Sequence, residues 1–305
     1  MKEIYHICFT SHAEVMFRDE LDHGMFVNLL ALRAFSSDAQ VFADAEMSTH
    51  VHLIIFSLEP VRFGGLLRMS YTKYFNHKYG REGRMGEPGV FVLRVLGLNH
   101  QVVSSNYTLR NGLHHAASST AFGYPYCSVR EYFPKELGFT PEPAVISRRE
   151  EISSYLPRFR EFPDSYVMNG EGVFLRRSFM ETRQVELFYA TPRNYLYQMN
   201  RLTDESWDRD QEKDGTGRPF HLADLEPGCQ DVAKLLNNEY GRHFRHDRLQ
   251  DMDVCRLIDR DLLPSNGVSS VYQLTDSQRT RIARTLFHDF HLPEAQIRRC
   301  LVMLS

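Results

Sequence analysis

The stretch Ser48-Thr49-His50-Val51-His52-Leu53-Ile54-Ile55 sets two histidines two positions apart in a run of aliphatic and β-branched residues. Side chains in a strand alternate between faces, so His50 and His52 present their imidazoles on one side and Val51 points to the other. Imidazole is the commonest side-chain ligand for divalent metals, which makes the pair a bidentate platform. The same spacing equally describes two ordinary histidines on a polar strand face. A second feature is Tyr107 with Asn111 four residues on, hence on the same face of any helix that carries both. Taken alone, Tyr107 reads as well as a core-covering tyrosine of an amphipathic helix. In a third, Tyr71, Tyr74 and Tyr79 interleave with Arg68, Lys73, Lys78 and Arg81. That mixture suits stacking on bases and holding phosphates of a single strand, or an ordinary helix with its aromatic face in the core.

The elements that must position these residues are legible from periodicity. Ile4–Phe9 is a buried strand by its β-branched and aromatic content, and Leu21, Met25, Leu29 and Leu32 recur at helical spacing up to Phe35. Val41–Met47 and Val51–Phe56 read as strands meeting near Ser48-Thr49. Phe63–Tyr79 is helical, with Gly80 placed as its C-cap. A fourth strand spans Val90–Leu96, and Asn99 is placed as N-cap of a helix running through Tyr107 to about Leu113. This order is a split βαβ pattern. The fold class expected is α+β: a ferredoxin-like antiparallel sheet with helices on one face, followed by an α-helical C-terminal region.

Beyond Pro134 the character changes. Asn169-Gly170 between apolar runs predicts a hairpin over Tyr166–Arg176, and Glu186–Leu202 a helix broken at Pro192. Asp208–Pro219 reads as a polar linker. Val232, Leu235 and Leu236 form a short stripe before Gly241, followed by Leu249, Leu257, Ile258 and Leu262. Thr275-Asp276-Ser277-Gln278 is a capping box for a helix with Ile282, Ala283, Leu286 and Phe287 inward. A final helix carries Ile297 and Leu301. The division expected is 1–139 α+β domain with the histidine pair and Tyr107, 140–225 accessory region without a readable role, and 226–305 helical domain.

Composition excludes several classes. No run approaches the roughly 18 apolar residues of a membrane span, and the start lacks a signal peptide's apolar core, so the expected location is cytoplasmic. Cys8, Cys127, Cys229, Cys255 and Cys300 are scattered and form no CxxC pair, which implies neither a thiolate zinc site nor a disulfide framework. The net charge of −3 argues mildly against nucleic acid as a partner. Locally, however, Arg62 to Arg110 carries Arg62, Arg68, Lys73, Lys78, Arg81, Arg84, Arg94 and Arg110 against Glu82 and Glu87. A basic face on a near-neutral protein still binds DNA, in a strongly salt-dependent way.

Across roughly residues 1–135, four ordered blocks, THVHL, YTKYFNHKYGR, YTLRN and YPYCSVREYF, resemble the REP-associated tyrosine transposases, relatives of the insertion-sequence single-tyrosine transposases. The corresponding family blocks read NHVHL, YTRYFNRRYGR, YIHLNP and YPWSSYRAYL. The resemblance implies that His50 and His52 are the paired metal ligands of a histidine-hydrophobic-histidine (HUH) endonuclease, that Asn111 is the third ligand, and that Tyr107 is the nucleophile. It further implies a bound Mg²⁺ or Mn²⁺, a 5′-phosphotyrosine intermediate, and a single-stranded DNA partner bearing a palindromic hairpin. A monomer is favoured over the homodimer of the insertion-sequence relatives. Two departures stand out: Met85-Gly86-Glu87-Pro88-Gly89 replaces a Trp-Gln-Gly-Arg-Phe-like segment, and Asn111-Gly112 replaces Asn-Pro. His114 and His115 are additional and are expected at the surface.

The last two helices resemble a helix-turn-helix appended to long members of this family, which would place Arg298 and Arg299 on the outer face of a recognition helix. The DNA contacts expected are therefore Arg68, Lys73, Tyr74, Lys78, Arg81, Arg84, Arg110, Arg298 and Arg299. A catalytically idle, nucleic-acid-binding protein on the same fold is the alternative. A metal hydrolase built on the histidine pair lacks the carboxylate ligands.

Overall fold

The computed structural model describes residues 1–11, 14–86, 89–156, 161–201, 220, 222–225 and 248–303. The predicted linker Asp208–Pro219, the stripe at Val232–Leu236 and Cys229 lie outside these residues. Four strands, β1 (Glu3–Thr10), β2 (Gln40–Glu46), β3 (His50–Ser57) and β4 (Phe91–Arg94), form one antiparallel sheet in the order β2-β3-β1-β4. With α1 (Glu20–Ser36) after β1 and α2 (Pro60–Tyr79) after β3, this is the α+β split βαβ arrangement expected from the sequence.

The strand period of two sorts the core into two layers. Ile7 and Phe9 of β1 and Val51, Leu53 and Ile55 of β3 meet Phe26 and Leu30 of α1 and Phe63 and Leu67 of α2. The opposite face, with Ala45 and Ile54, is covered by Leu109 at the end of α3 (Gly97–Leu109), and by Val185, Phe188 and Tyr189 of a later helix (Thr182–Tyr189). Helices therefore lie on both faces and not on one. The even-numbered face of β3 is apolar at Ile54, and the chain after β4 folds back to bury it.

Local signals explain the helix ends. Asp19 caps α1 by accepting from the Asp22 amide. Pro60 opens α2, and Gly80 closes it with φ 63°. Helix α3 starts at Gly97, two residues ahead of the expected Asn99 cap. It also ends sooner: Arg110, at φ −96° and ψ 6°, separates it from a single turn, α4 (Asn111–His114). At Gly112, a Cβ would sit 2.4 Å from the Tyr124 side chain. That close approach accounts for glycine where the family pattern has proline.

The middle of the chain is not a separate layer. Helix α5 (Arg149–Tyr155) and the Asn169-Gly170 turn bury Ile146, Ile152, Met168 and Phe174 against Ala31 and Leu32 of α1. The expected hairpin is present as a tight turn, with the Asn169 amide donating to Val173 O, and with an isolated Met168–Phe174 bridge in place of full strands. Helices α6 (Arg176–Phe179), α7 (Thr182–Tyr189) and α8 (Pro192–Asn200) follow, broken at Pro192 as predicted. A short turn, α9 (Leu222–Leu225), comes next.

Helices α10 (Asp251–Leu257), α11 (Asp276–His288) and α12 (Glu294–Cys300) build a small bundle around Val254, Ile258, Ile282, Leu286 and Ile297. The Thr275–Gln278 capping box is formed, whereas Phe287, expected inward, is exposed. The inner stripe consists of Ile282 and Leu286, both buried as expected. The bundle is bound to the sheet-bearing part of the chain by a buried charge. Arg18, 1% exposed, forms a two-pronged pair with Asp259 (2.7 and 3.1 Å) and donates to Cys300 O. Removing Asp259 would strand that guanidinium at a cost of about 3–5 kcal/mol. Tyr272 donates to Glu14, and Ser48 to Asp251, at the same junction.

Candidate metal and nucleophile site

Strand β3 lies between β1 and β2, which makes it an inner strand of the sheet and fixes its backbone on both sides. His52 pairs with Cys8 on one side and Ala45 on the other. His50 and His52 project onto the face that α3 crosses, with ring centroids 5.0 Å apart. The Tyr107 ring stands edge-on to His52, at 5.3 Å and 87°. His50 Nε2 is 3.1 Å from Asn111 Oδ1. Two residues of a strand and two from the α3–α4 segment thus converge, although the helix break at Arg110 places Tyr107 and Asn111 on successive helical pieces.

The donor set fits a hard divalent cation. Adjacent ligands of an octahedral Mg²⁺, at about 2.1 Å from the ion, lie about 3 Å apart, which matches the His50–Asn111 separation of 3.1 Å. In the protein alone, the same contact is a hydrogen bond from the imidazole to the amide oxygen. The second ring of the pair is oriented by a residue that sequence reading passed over: His6 Nε2 is 3.0 Å from His52 Nδ1, with the rings stacked at 13°. A partner on Nδ1 leaves Nε2 of His52 as the nitrogen that a metal would take, the arrangement by which outer groups fix a metal-binding imidazole. Three His, Cys, Asp or Glu side chains do not gather in a metal-binding group anywhere among the described residues, so a third protein ligand beside His50 and His52 would have to be the Asn111 amide.

Outside comparisons add little to this geometry. No family model matches the chain, and no curated protein matches it. Among solved structures, it is similar to one described as "Structure of the REP associates tyrosine transposase bound to a REP hairpin", over 46% of this chain and 84% of that one, at 14% identity and a TM-score of 0.36.

Other aromatic residues close over the site. His114, expected at the surface, is 1% exposed and stacks on Tyr107 at 5.1 Å. It lies on α4, beyond the helix break at Arg110, so helical spacing alone would not have placed it there. His115 approaches His50 at 4.7 Å. Tyr107 itself is fully buried, packed with Val95, Val103, Phe220 and Leu225. Phe220 also stacks on His100 at 3.9 Å.

Beneath β2 lies a buried polar cluster. Arg176 pairs with Asp44 and Glu46, each at 2.8 Å, and His23 is 3.3 Å from Glu46. Burial pushes the Asp44 carboxyl up to about 7 and raises that of Glu46, against the opposing pull of Arg176. Burial also lowers His23 to about 3, which keeps it neutral between Phe17 and Tyr126.

The residues expected to touch DNA divide by what holds them. Arg68 is buried and donates to Gly89 O, and Arg110, 2% exposed, donates to Arg201 O. Lys78 bridges Asp19 and Asp22, Tyr74 donates to Asp22, and Arg81 pairs with Glu14 at 2.6 Å. Arg298 lies 3.5 Å from Glu294. Arg299 grips Asp251 with two nitrogens at 2.6 Å and so points into the junction, not out from the bundle. Lys73 and Arg84 are exposed. The counter-charges Glu14, Asp19 and Asp22 are distant in sequence from α2, and a count of the basic stretch by itself leaves them out.

Proposed function

We infer that the protein is a metal-dependent single-strand DNA endonuclease and strand transferase with Tyr107 as nucleophile. The observation that carries the reading is the convergence of His50, His52 and Asn111 with the Tyr107 ring on one face of the sheet. The four-block resemblance supplies the reaction class. His50, His52 and Asn111 would hold Mg²⁺ or Mn²⁺, which when bound supplies Lewis-acid stabilisation of charge on a phosphate.

The chain's own part follows from its chemistry. Tyr107 Oη forms a bond to phosphorus as the bond to the 3′ oxygen breaks. The proton lost by the phenol balances the one taken up by the departing 3′-OH. The 5′ end then stays on the enzyme as a phosphotyrosine. A phenol with a pKa near 10 leaves more readily than a sugar alcohol, so a second 3′-OH can displace it without ATP. His6 holds the His52 ring in its orientation, and His114 holds the face of Tyr107. For a strand to reach the hydroxyl, the cover supplied by Phe220 and Leu225 must withdraw.

That cover is the observation favouring the second reading, an idle DNA-binding protein. One experiment separates the two. The full chain is incubated with labelled hairpin-bearing single strands, with and without Mn²⁺, and resolved on denaturing gels. A metal-dependent covalent adduct is expected; retention of the strand without any adduct supports the idle reading.

A further inference from the structure

A cleft of about 530 Å³ opens where the bundle meets the sheet, with the His50 ring in its wall. Its floor comes from the β2–β3 turn and the Tyr124–Tyr126 segment, and its far side from the start of α10 and from Gln296 and Arg299 of α12. The volume is within the range of small-ligand pockets. It is wide enough for a nucleotide.

Two features of the cleft point to a planar ligand carrying hydrogen-bond donors. Gln296 is 2% exposed, and its Nε2 donates to Leu249 O at 2.9 Å and Asp251 Oδ1 at 3.0 Å. Both partners are acceptors, which fixes the amide orientation. Its Oε1 is then left as a buried acceptor with no hydrogen-bond partner among the described residues, in a side chain that lines the cleft. An acceptor in this position costs stability unless something donates to it. The second feature is a ladder of parallel rings, Phe17 on His23 at 4.4 Å and His23 on Tyr126 at 3.5 Å. Tyr126 is its outer, half-exposed member, and all three rings line the cleft. Exposed Arg248 adds a cation at the same opening.

We propose that this cleft is a nucleobase pocket, receiving one base of the single strand next to the cleaved phosphate, stacked on Tyr126 and donating an exocyclic amine to Gln296 Oε1. The proposal deepens the endonuclease reading and rests on it for the identity of the strand. Adenine, cytosine and guanine carry such an amine, whereas thymine can offer only its ring N3–H.

The test uses the full chain in the Tyr107→Phe background with EDTA present, so that binding is measured without cleavage. Short deoxynucleotides carrying adenine, or unsubstituted purine in its place, are compared by fluorescence anisotropy. Adenine is expected to bind about tenfold more tightly, as one donor–acceptor pair against a buried acceptor implies. Tyr126→Ala is expected to weaken both by about tenfold or more, with Tyr126→Trp restoring the loss. In Gln296→Met, checked for folding by thermal melting, the adenine-to-purine ratio should fall to about one. Equal affinity for the two bases together with an unaffected Tyr126→Ala variant would overturn the proposal. Because covalent adducts are assayed separately in the unsubstituted protein, a base-selective protein that forms none would refute the endonuclease and leave the pocket standing. An active enzyme indifferent to the base would do the reverse.

Discussion

Tyr107 stands edge-on to His52 at 5.3 Å, in a site where each ring is held by a further histidine: His114 lies face to face with the tyrosine, and His6 meets Nδ1 of His52. Tyr107 and His52, the proposed nucleophile and ligand, are therefore fixed to one another through rigid rings and not through flexible side chains. Each of the two histidines behind them lies outside the motif that drew attention to the site.

Tyr107→Phe keeps the ring, its burial and its stack on His114, and removes the hydroxyl alone. We expect covalent protein–DNA adducts to disappear on denaturing gels while affinity for the same strand stays within about twofold, since the substitution deletes no packing. Adducts persisting in this variant would move the nucleophile to another residue.

His6→Phe preserves the stack on His52 but removes the nitrogen that orients it. Loss of an outer partner of a metal-binding imidazole typically costs about 10–100-fold in metal affinity. The metal requirement for adduct formation, titrated with Mn²⁺, should shift upward by that factor, with activity recovered at saturating ion. A purely structural histidine would instead lower the melting temperature and leave the midpoint of the Mn²⁺ titration in place.

The contrast between the histidine pair and His6 shows how much of the site the sequence disclosed. His50 and His52 are two residues apart in one strand, so strand alternation places them without any tertiary knowledge. Tyr107 and Asn111 are readable to within one turn; the break at Arg110, which puts them on successive helical pieces, leaves no local sequence signal. His6 is one strand away, and its role follows only once β1 is paired with β3 in the register Cys8–His52. Likewise, Lys78 and Arg81 read as DNA contacts because the carboxylates that hold them, Asp19, Asp22 and Glu14, come from the N-cap and first turn of α1 and the loop before it. The strand and helix order survived because it depends on local periodicity. The second helical layer did not, because covering the other face of the sheet is a decision of the whole chain.

The cover over Tyr107 makes a prediction of opposite sign to most core substitutions. Phe220→Ala removes the ring that stacks on His100 and packs with Tyr107. We expect Tyr107 to gain reactivity toward a tyrosine-modifying reagent such as tetranitromethane, read at that residue by mass spectrometry, and adduct formation to accelerate. If the variant forms adducts no faster than the parent while Tyr107 becomes modifiable, access is not what limits the reaction.

The buried charges beneath β2 predict how stability follows pH. His23 is lowered to about 3 by burial, so the fold favours its neutral form; its contribution is complete above the unfolded value near 6.5 and is lost as pH falls toward 3. Asp44 is raised to about 7 by burial, so the fold favours its protonated form; its contribution is complete below the unfolded value near 4 and is lost as pH rises through 7. Between about pH 4 and 6.5 the two slopes oppose one another. Asp44→Asn removes one of them. Urea midpoints of this variant should fall steadily on acidification from pH 6.5, at up to about 1.4 kcal/mol per pH unit, with the parent changing less over the same interval. A variant whose stability is as flat with pH as the parent's would show that His23 takes up its proton without cost, and that its place between Phe17 and Tyr126 does not depend on its being neutral.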